Sequence, residues 1–163
     1  MRRRPIDMDA YVRSAQSDGC FICDIVAGRP GHRHHVVYED EGAIAFLNRF
    51  PVLLGYTIVA PRRHREQVTG DFGEEDYLAL QRVVRRVGEA LRRVVPMERL
   101  YVLSLGSQQG NRHVHWHLAP LPPGVPYEEQ QLAALALARG VLDLTEAELS
   151  SLAERLRREL DAA

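Results

Sequence analysis

Three histidines stand at every second position in His113-Val114-His115-Trp116-His117, which runs on into Leu118 and Ala119. A strand alternates its side chains between two faces, whereas residues two apart on a helix do not share one. Val, Trp and Leu favour extended backbone, and Pro120 marks its end. The pattern predicts a strand with three imidazoles on one face and Val114, Trp116 and Leu118 on the other. Imidazoles crowded beside an apolar layer are costly, so the face points to metal ligation, anion binding, or nucleophilic or acid-base catalysis. The run is internal and interleaved with large apolar residues, which excludes a purification tag.

At 163 residues the chain is expected to form one domain with a sizeable core. Val36–Glu39 and Ala43–Leu47 read as strands across the turn Asp40-Glu41-Gly42. A third strand is expected over 55–60, stopped by Pro61, a fourth over 100–105, and the histidine run supplies the fifth. Between the third and fourth lies a long helix. Tyr77, Leu80, Val84, Val87, Leu91 and Val94 form its apolar stripe, Asp71 is its expected cap with Glu74, and Pro96 marks its end. Two further helices are expected, one over 128–139 and one starting at Thr145, which can form a capping box with Glu148. Residues 1–18 read as an arm with a short helix over 9–15, and Arg2-Arg3-Arg4 as a solvated tail. The whole predicts an α+β fold: an antiparallel five-stranded sheet, one long inserted helix and extra C-terminal helices.

The net charge of −1 creates no global field toward nucleic acid or membrane. No apolar run is long enough to span a bilayer, and no secretory apolar region follows the basic start, so a cytoplasmic protein is expected. The chain contains no lysine. That excludes a Schiff base, a lysine-nucleotide intermediate and a phosphate-loop lysine. Phosphate, if bound, must be met by histidine, arginine, backbone amides or a metal.

Cys20 and Cys23 are the two cysteines. In a reducing compartment such a pair points to metal or redox chemistry rather than a structural disulfide. The preceding Asp18-Gly19 turn does not supply a thioredoxin-like context. A zinc site needs four ligands, so two more must come from elsewhere.

The His113-x-His115-x-His117 run with its apolar sequel resembles the histidine triad (HIT) superfamily of nucleotide hydrolases and transferases. Other segments agree in order: Tyr38-Glu39-Asp40 with Ala43 to Asn48 resembles the family's first hairpin, and Gly55-Tyr56-Thr57-Ile58-Val59-Ala60-Pro61-Arg62-Arg63-His64 its strand ending in a Pro-basic-basic-His turn. Gly19 to Cys23 resembles the N-terminal zinc half-site of bacterial members. The likeness covers residues 19–120, taken as the HIT domain, with 121–163 as a helical extension packed on it.

The resemblance implies a structural zinc on Cys20, Cys23, His64 and His113, with His32, His34 and His35 as rival ligands or as residues at the cleft entrance. It implies His115 as nucleophile on an α-phosphate and His117 as donor to a phosphate oxygen. Phe21, Ile22, Ile25 and Phe46 would enclose a purine base, Asn48 would meet the ribose, and backbone around Gln109 would meet phosphate. The implied activity is hydrolysis of a nucleoside phosphoramidate or dinucleoside polyphosphate through a nucleotidyl-histidine. The alternatives are a nucleotidyltransferase or phosphorylase, whose branches carry glutamine where this chain has His117, and a binding module without catalysis. Tyr56 stands where the family often has histidine, and the loop from Ser104 to His113 is about two residues shorter than in relatives. A homodimer is expected through the 100–105 edge and the long helix, since an apolar unpaired edge needs cover.

Overall fold

The computed structural model describes every residue except Asp18, Arg33 and Ala163. The Asp18-Gly19 turn therefore lies partly outside the described residues. The main sheet contains β2 (Val36–Glu39), β3 (Ala43–Leu47), β4 (Thr57–Pro61), β5 (Arg99–Ser104) and β6 (Trp116–Leu121). All its pairings are antiparallel, and the spatial order is β2-β3-β4-β6-β5. Both β3 and β4 are buried along their whole length, because the sheet is covered on both faces.

Alternation decides what each face meets. Ala43, Ala45 and Leu47 pack with α3 (Glu74–Val94), whereas Ile44 and Phe46 pack with Ile22 and Ile25 of α2 (Phe21–Val26). Val114, Trp116 and Leu118 join the α3 layer, as the sequence pattern requires. Leu152, Ala153, Leu156 and Leu160 of α5 (Glu146–Asp161) complete that layer, and Thr145 forms the expected capping box with Glu148. Among the described residues no helix is long and apolar enough to cross a membrane.

Several sequence expectations need correction. Strand β6 begins at Trp116, so His113 and His115 lie on the irregular extended backbone that leads into it. Here Val114 N–H bonds to the carbonyl of Arg65 (2.7 Å) rather than to a strand ladder. Asp71 does not cap α3. Its carboxylate instead accepts from the amides of Glu66 (2.7 Å) and Gln67 (2.8 Å), and Gly73 occupies the cap position without a side-chain bond. The helix expected over 128–139 is broken into a turn at Tyr127–Glu129, α4 (Leu132–Leu135) and a turn at Leu137–Arg139. Gln131 interrupts it with φ +56°, a left-handed backbone that no continuous helix contains.

Nor is the Arg cluster a free tail. Residues Arg3–Arg4 form β1, which pairs antiparallel with β7 (Val141–Leu142) of the C-terminal extension. Arg3 donates to the carbonyls of Gly140 and Val52, both at 2.8 Å. Gly140 adopts φ +80°, and a Cβ there would sit 2.8 Å from the carbonyl oxygen of Arg4. Only glycine allows this approach. The clasp then feeds α1 (Met8–Ala15), capped by Asp7 and extending the expected 9–15 helix by one residue.

Candidate active site and metal centre

The backbone ahead of β6 turns the three histidines to two tasks. His113 is buried, and its Nδ1 faces the sulfurs of Cys20 (3.3 Å) and Cys23 (3.6 Å). His64 Nδ1 lies 3.4 Å from the Cys23 sulfur. One donor atom from each of these four residues lies within 4.8 Å of every other, so the group can hold a metal ion. The far sides of both imidazoles are tied down: His113 Nε2 bonds to the Pro61 carbonyl (2.9 Å) and His64 Nε2 to the Glu66 carboxylate (3.2 Å). Such partners fix the ring orientation and tautomer of metal-binding histidines. The two thiols come from one short helix. Cys20 caps α2, its sulfur accepting from Cys23 N–H (3.4 Å). Burial, reinforced by Cys20 alongside, pushes the Cys23 thiol up to about 11. A bound cation supplies the positive charge that two adjacent thiolates lack.

His115 and His117 face a cavity of about 170 Å³, lined also by Phe21, Phe46, Asn48 and Ile58. Their rings lie 4.7 Å apart. His115 Nδ1 bonds to the carbonyl of His113 at 2.6 Å, so it carries the proton and Nε2 is left with its lone pair. Burial lowers the pKa of His115 and takes that of His117 down to about 3, with His115 adding to the latter shift. Both rings are therefore neutral near pH 7. His117 Nδ1 lies 3.0 Å from the hydroxyl of Tyr56. Burial first, and the nearby Tyr11 second, push the Tyr56 phenol up to about 12, so it stays protonated.

The other proposed binding residues are distributed unevenly. Phe21 and Phe46 meet edge to face (6.3 Å between centroids), and Phe21 also meets the His115 ring at 6.1 Å. Ile22 and Ile25 lie beneath, in the packed cluster that holds Ile44 and Ile58. Asn48 lines the cavity, but its Oδ1 accepts from the Phe50 amide (2.8 Å) and so also holds the turn. Gln109 stands on the neighbouring depression beside His113 and Arg112 rather than on this wall. The histidines before β2 stay out of the thiol cluster. His34 stacks its edge on Phe46 (5.2 Å), His32 pairs with Asp24 (3.6 Å) and His35 with Glu146 (3.2 Å).

Sequence reading gave no site role to Tyr11, Ser14, Ala15, Arg49, Phe50 and Ile58, which also line the cavity. Arg49 had a usable signal, being a cation directly after Asn48 in a chain without lysine. Tyr11 and Ser14 had none, because only the β1–β7 pairing brings their helix over the cleft.

Residues 29–123 match the HIT domain family model. The chain is 31% identical over 104 residues to an uncharacterized HIT-like protein of Saccharolobus solfataricus, covering 62% of this chain and 73% of that one. It is 34% identical over 110 residues to one of Mycoplasma genitalium, covering 65% and 74%. Among solved structures, a hypothetical histidine triad nucleotide-binding protein of Sulfolobus tokodaii superposes with a TM-score of 0.70 at 24% identity, covering 88% of this chain and 93% of that one. A zinc-bound histidine triad family protein of Mycobacterium smegmatis gives 0.67 at 21%, covering 88% and 94%. With its histidines, thiols and five-stranded sheet arranged as described, this chain belongs to the HIT family.

Proposed function

We propose that the protein is a nucleotide hydrolase that cleaves a phosphorus-linked leaving group from a nucleoside 5′-phosphate. The observation that carries this reading is the 2.6 Å bond from His115 Nδ1 to the His113 carbonyl, which leaves a neutral Nε2 aimed into a cavity shared with His117. In the first step Nε2 forms a bond to the α-phosphorus, and the leaving group departs with the electron pair of its own bond and a proton from solvent. The resulting imidazolium keeps its Nδ1 proton on the carbonyl, which stabilises the charge. Water then forms a P–O bond as the P–N bond breaks, releasing the nucleoside monophosphate and the neutral ring. One difficult displacement becomes two easier ones.

His117 serves as a hydrogen-bond donor in this scheme. Tyr56 donates to its Nδ1, which leaves the proton on Nε2, facing the phosphate. Arg49 adds a permanent positive charge to the cavity wall. Phe21 and Phe46 form the apolar side for a purine, and Asn48 is left to meet the ribose through its amide nitrogen.

The ion of the neighbouring cluster is zinc in this reading. Zn–S bonds of about 2.3 Å and Zn–N bonds of about 2.0–2.1 Å in a tetrahedron separate sulfur from nitrogen by about 3.6 Å. The 3.3, 3.4 and 3.6 Å separations found here fit. A Cys₂His₂ set is closed, so the ion supplies structure and tethers His113 beside the nucleophile.

The test is incubation with adenosine 5′-phosphoramidate and diadenosine polyphosphates, with quenched samples examined by mass spectrometry. Release of AMP and an adenylyl adduct on His115 are expected. Product that depends on added inorganic phosphate assigns a phosphorylase instead, and binding without turnover of any of these compounds removes the hydrolase reading.

A further inference from the structure

The cleft has a roof that no HIT-domain residue provides. Helix α1 crosses it and is fastened at both ends. Upstream, β1 is clasped to β7, and the Arg2 carbonyl accepts from the amide of Asp143 (3.0 Å). Downstream, the Ala15 carbonyl accepts from the amide of Asn111 (3.2 Å) on the loop before the histidines. Gly110 approaches so closely that a Cβ would lie 2.7 Å from the Ala15 oxygen. Midway, Tyr11 meets Phe50 edge to face (5.8 Å between centroids) and faces the cavity with His115 and His117.

The position of Tyr11 matters because of what adjoins it. An in-line displacement expels its leaving group on the side away from His115 Nε2. His117 lies beside His115 with ring centroids 4.7 Å apart, Tyr56 bonds to His117 at 3.0 Å, and Tyr11 lines the same cavity as both histidines. A leaving group that departs past His117 and Tyr56 would meet α1, whose Tyr11, Ser14 and Ala15 line the same cavity. A small amine fits beneath such a roof. A polyphosphate ending in a second nucleoside must pass Tyr11 or displace the helix. Displacement is possible in principle, since no residue of α1 is buried. It carries a cost, since both fastenings must strain.

We propose that α1 is a specificity roof, with Tyr11 its principal contact, that selects nucleoside 5′-phosphate derivatives bearing a compact leaving group, the phosphoramidate class, over dinucleoside polyphosphates. This inference rests on the hydrolase reading and narrows its substrate. It also gives the C-terminal extension a task, because β7 and Gly140 hold the roof from a distance.

The experiment compares kcat/KM for adenosine 5′-phosphoramidate with that for diadenosine tetraphosphate in three full-length proteins: wild type, Tyr11→Ala and Gly140→Ala. Gly140 lies in the clasp, not in the cleft, and its substitution tests the fastening alone. Wild type is expected to prefer the phosphoramidate by at least tenfold, and each variant to shift the ratio at least tenfold toward the tetraphosphate. A ratio unmoved in either variant, or a wild-type preference for the tetraphosphate, overturns the proposal. Hydrogen exchange over residues 8–15 gives a readout that needs no turnover. Saturating AMP should slow exchange there by at least fivefold, and unchanged exchange overturns the roof. If neither compound is hydrolysed yet AMP protects α1, the hydrolase reading fails and the roof stands.

Discussion

Tyr56 and His117, 61 positions apart in sequence, meet through a 3.0 Å hydrogen bond between a phenol and an imidazole Nδ1. In the proposed function Tyr56 donates in this bond, which puts the His117 proton on Nε2 and lets the ring donate to phosphate. Tyr56→Phe should therefore lower kcat more than it raises KM, by about three- to tenfold, the net worth of one such bond. Nitrogen NMR of His117 should show its Nε2–H form in wild type and a mixture of tautomers in the variant. Identical His117 spectra in the two proteins would show that Tyr56 does not set the tautomer.

His115→Ala should abolish turnover and the nucleotidyl adduct while leaving metal content and far-UV circular dichroism unchanged. In the proposed mechanism its ring contributes the attacking atom, and it is not part of the thiol cluster. More than a few per cent of wild-type activity remaining would remove it as nucleophile.

Elemental analysis of protein purified without chelator should give about one zinc per chain. Cys23→Ser should lose the metal and lower Tm by on the order of 10 °C, because metal-binding energy is folding energy in such sites. Full zinc occupancy in that variant contradicts the ligand set.

Acid should destabilise the fold through its neutral histidines. Burial takes His117 down to about 3 and lowers His34 as well, whereas both return to about 6.5 when the chain unfolds. Below pH 6.5 the unfolded state takes up protons that the native state refuses, so stability is full above that pH and falls as the pH drops toward 3. Loss of the metal acts in the same direction. His117→Asn separates the two: its Tm should fall less steeply than wild type between pH 6.5 and 5, and equal slopes would exclude a contribution from His117.

Strand β5 is one edge of the sheet, and Val102 within it and Leu105 just after it are among the exposed large apolar residues. Helix α5 does not cover it, lying instead on α3 and β2. Light scattering should therefore give twice 18.5 kDa. Val102→Glu should shift the mass toward one chain, since a two-fold contact meets the new charge with its own copy. A wild-type mass of 18.5 kDa that does not rise on concentration rules the dimer out.

Four strands of the main sheet were legible because alternation and turn residues are local signals; the fifth was misplaced, since it starts only at Trp116 and runs past Pro120 to Leu121. Ala43 to Leu47 even shows which residue meets which layer. The long helix was legible from its stripe, but its start was not. Asp71 is a good capping residue, yet two amides of the 66–67 turn claim its carboxylate. The 128–139 segment has helical composition, but Gln131's left-handed backbone and the extended Ala136 break it twice. Helix α2 escaped notice because six residues are too few to show a period and its cap is a sulfur. The grouping of His64 and His113 with the two cysteines, and of His115 with His117, could be read from spacing and resemblance. The roof over them could not, since Arg3 and Leu142 pair across most of the chain and no sequence pattern announces such a partner.

The thiol–imidazole cluster joins residues that the chain keeps far apart: 41 positions separate Cys23 from His64, and 90 separate it from His113. A tether of that reach works on the unfolded chain as a disulfide does, removing conformations worth ~4 kcal/mol for a loop of this size. Unlike a disulfide, it forms in a reducing medium and can be withdrawn by a chelator. His113 belongs both to the group that can hold a metal and, through its carbonyl, to the hydrogen bond that orients His115. Under the proposed function, withdrawing an ion bound there would release the backbone that aims the nucleophile, and activity would follow the metal supply although the metal takes no part in bond breaking.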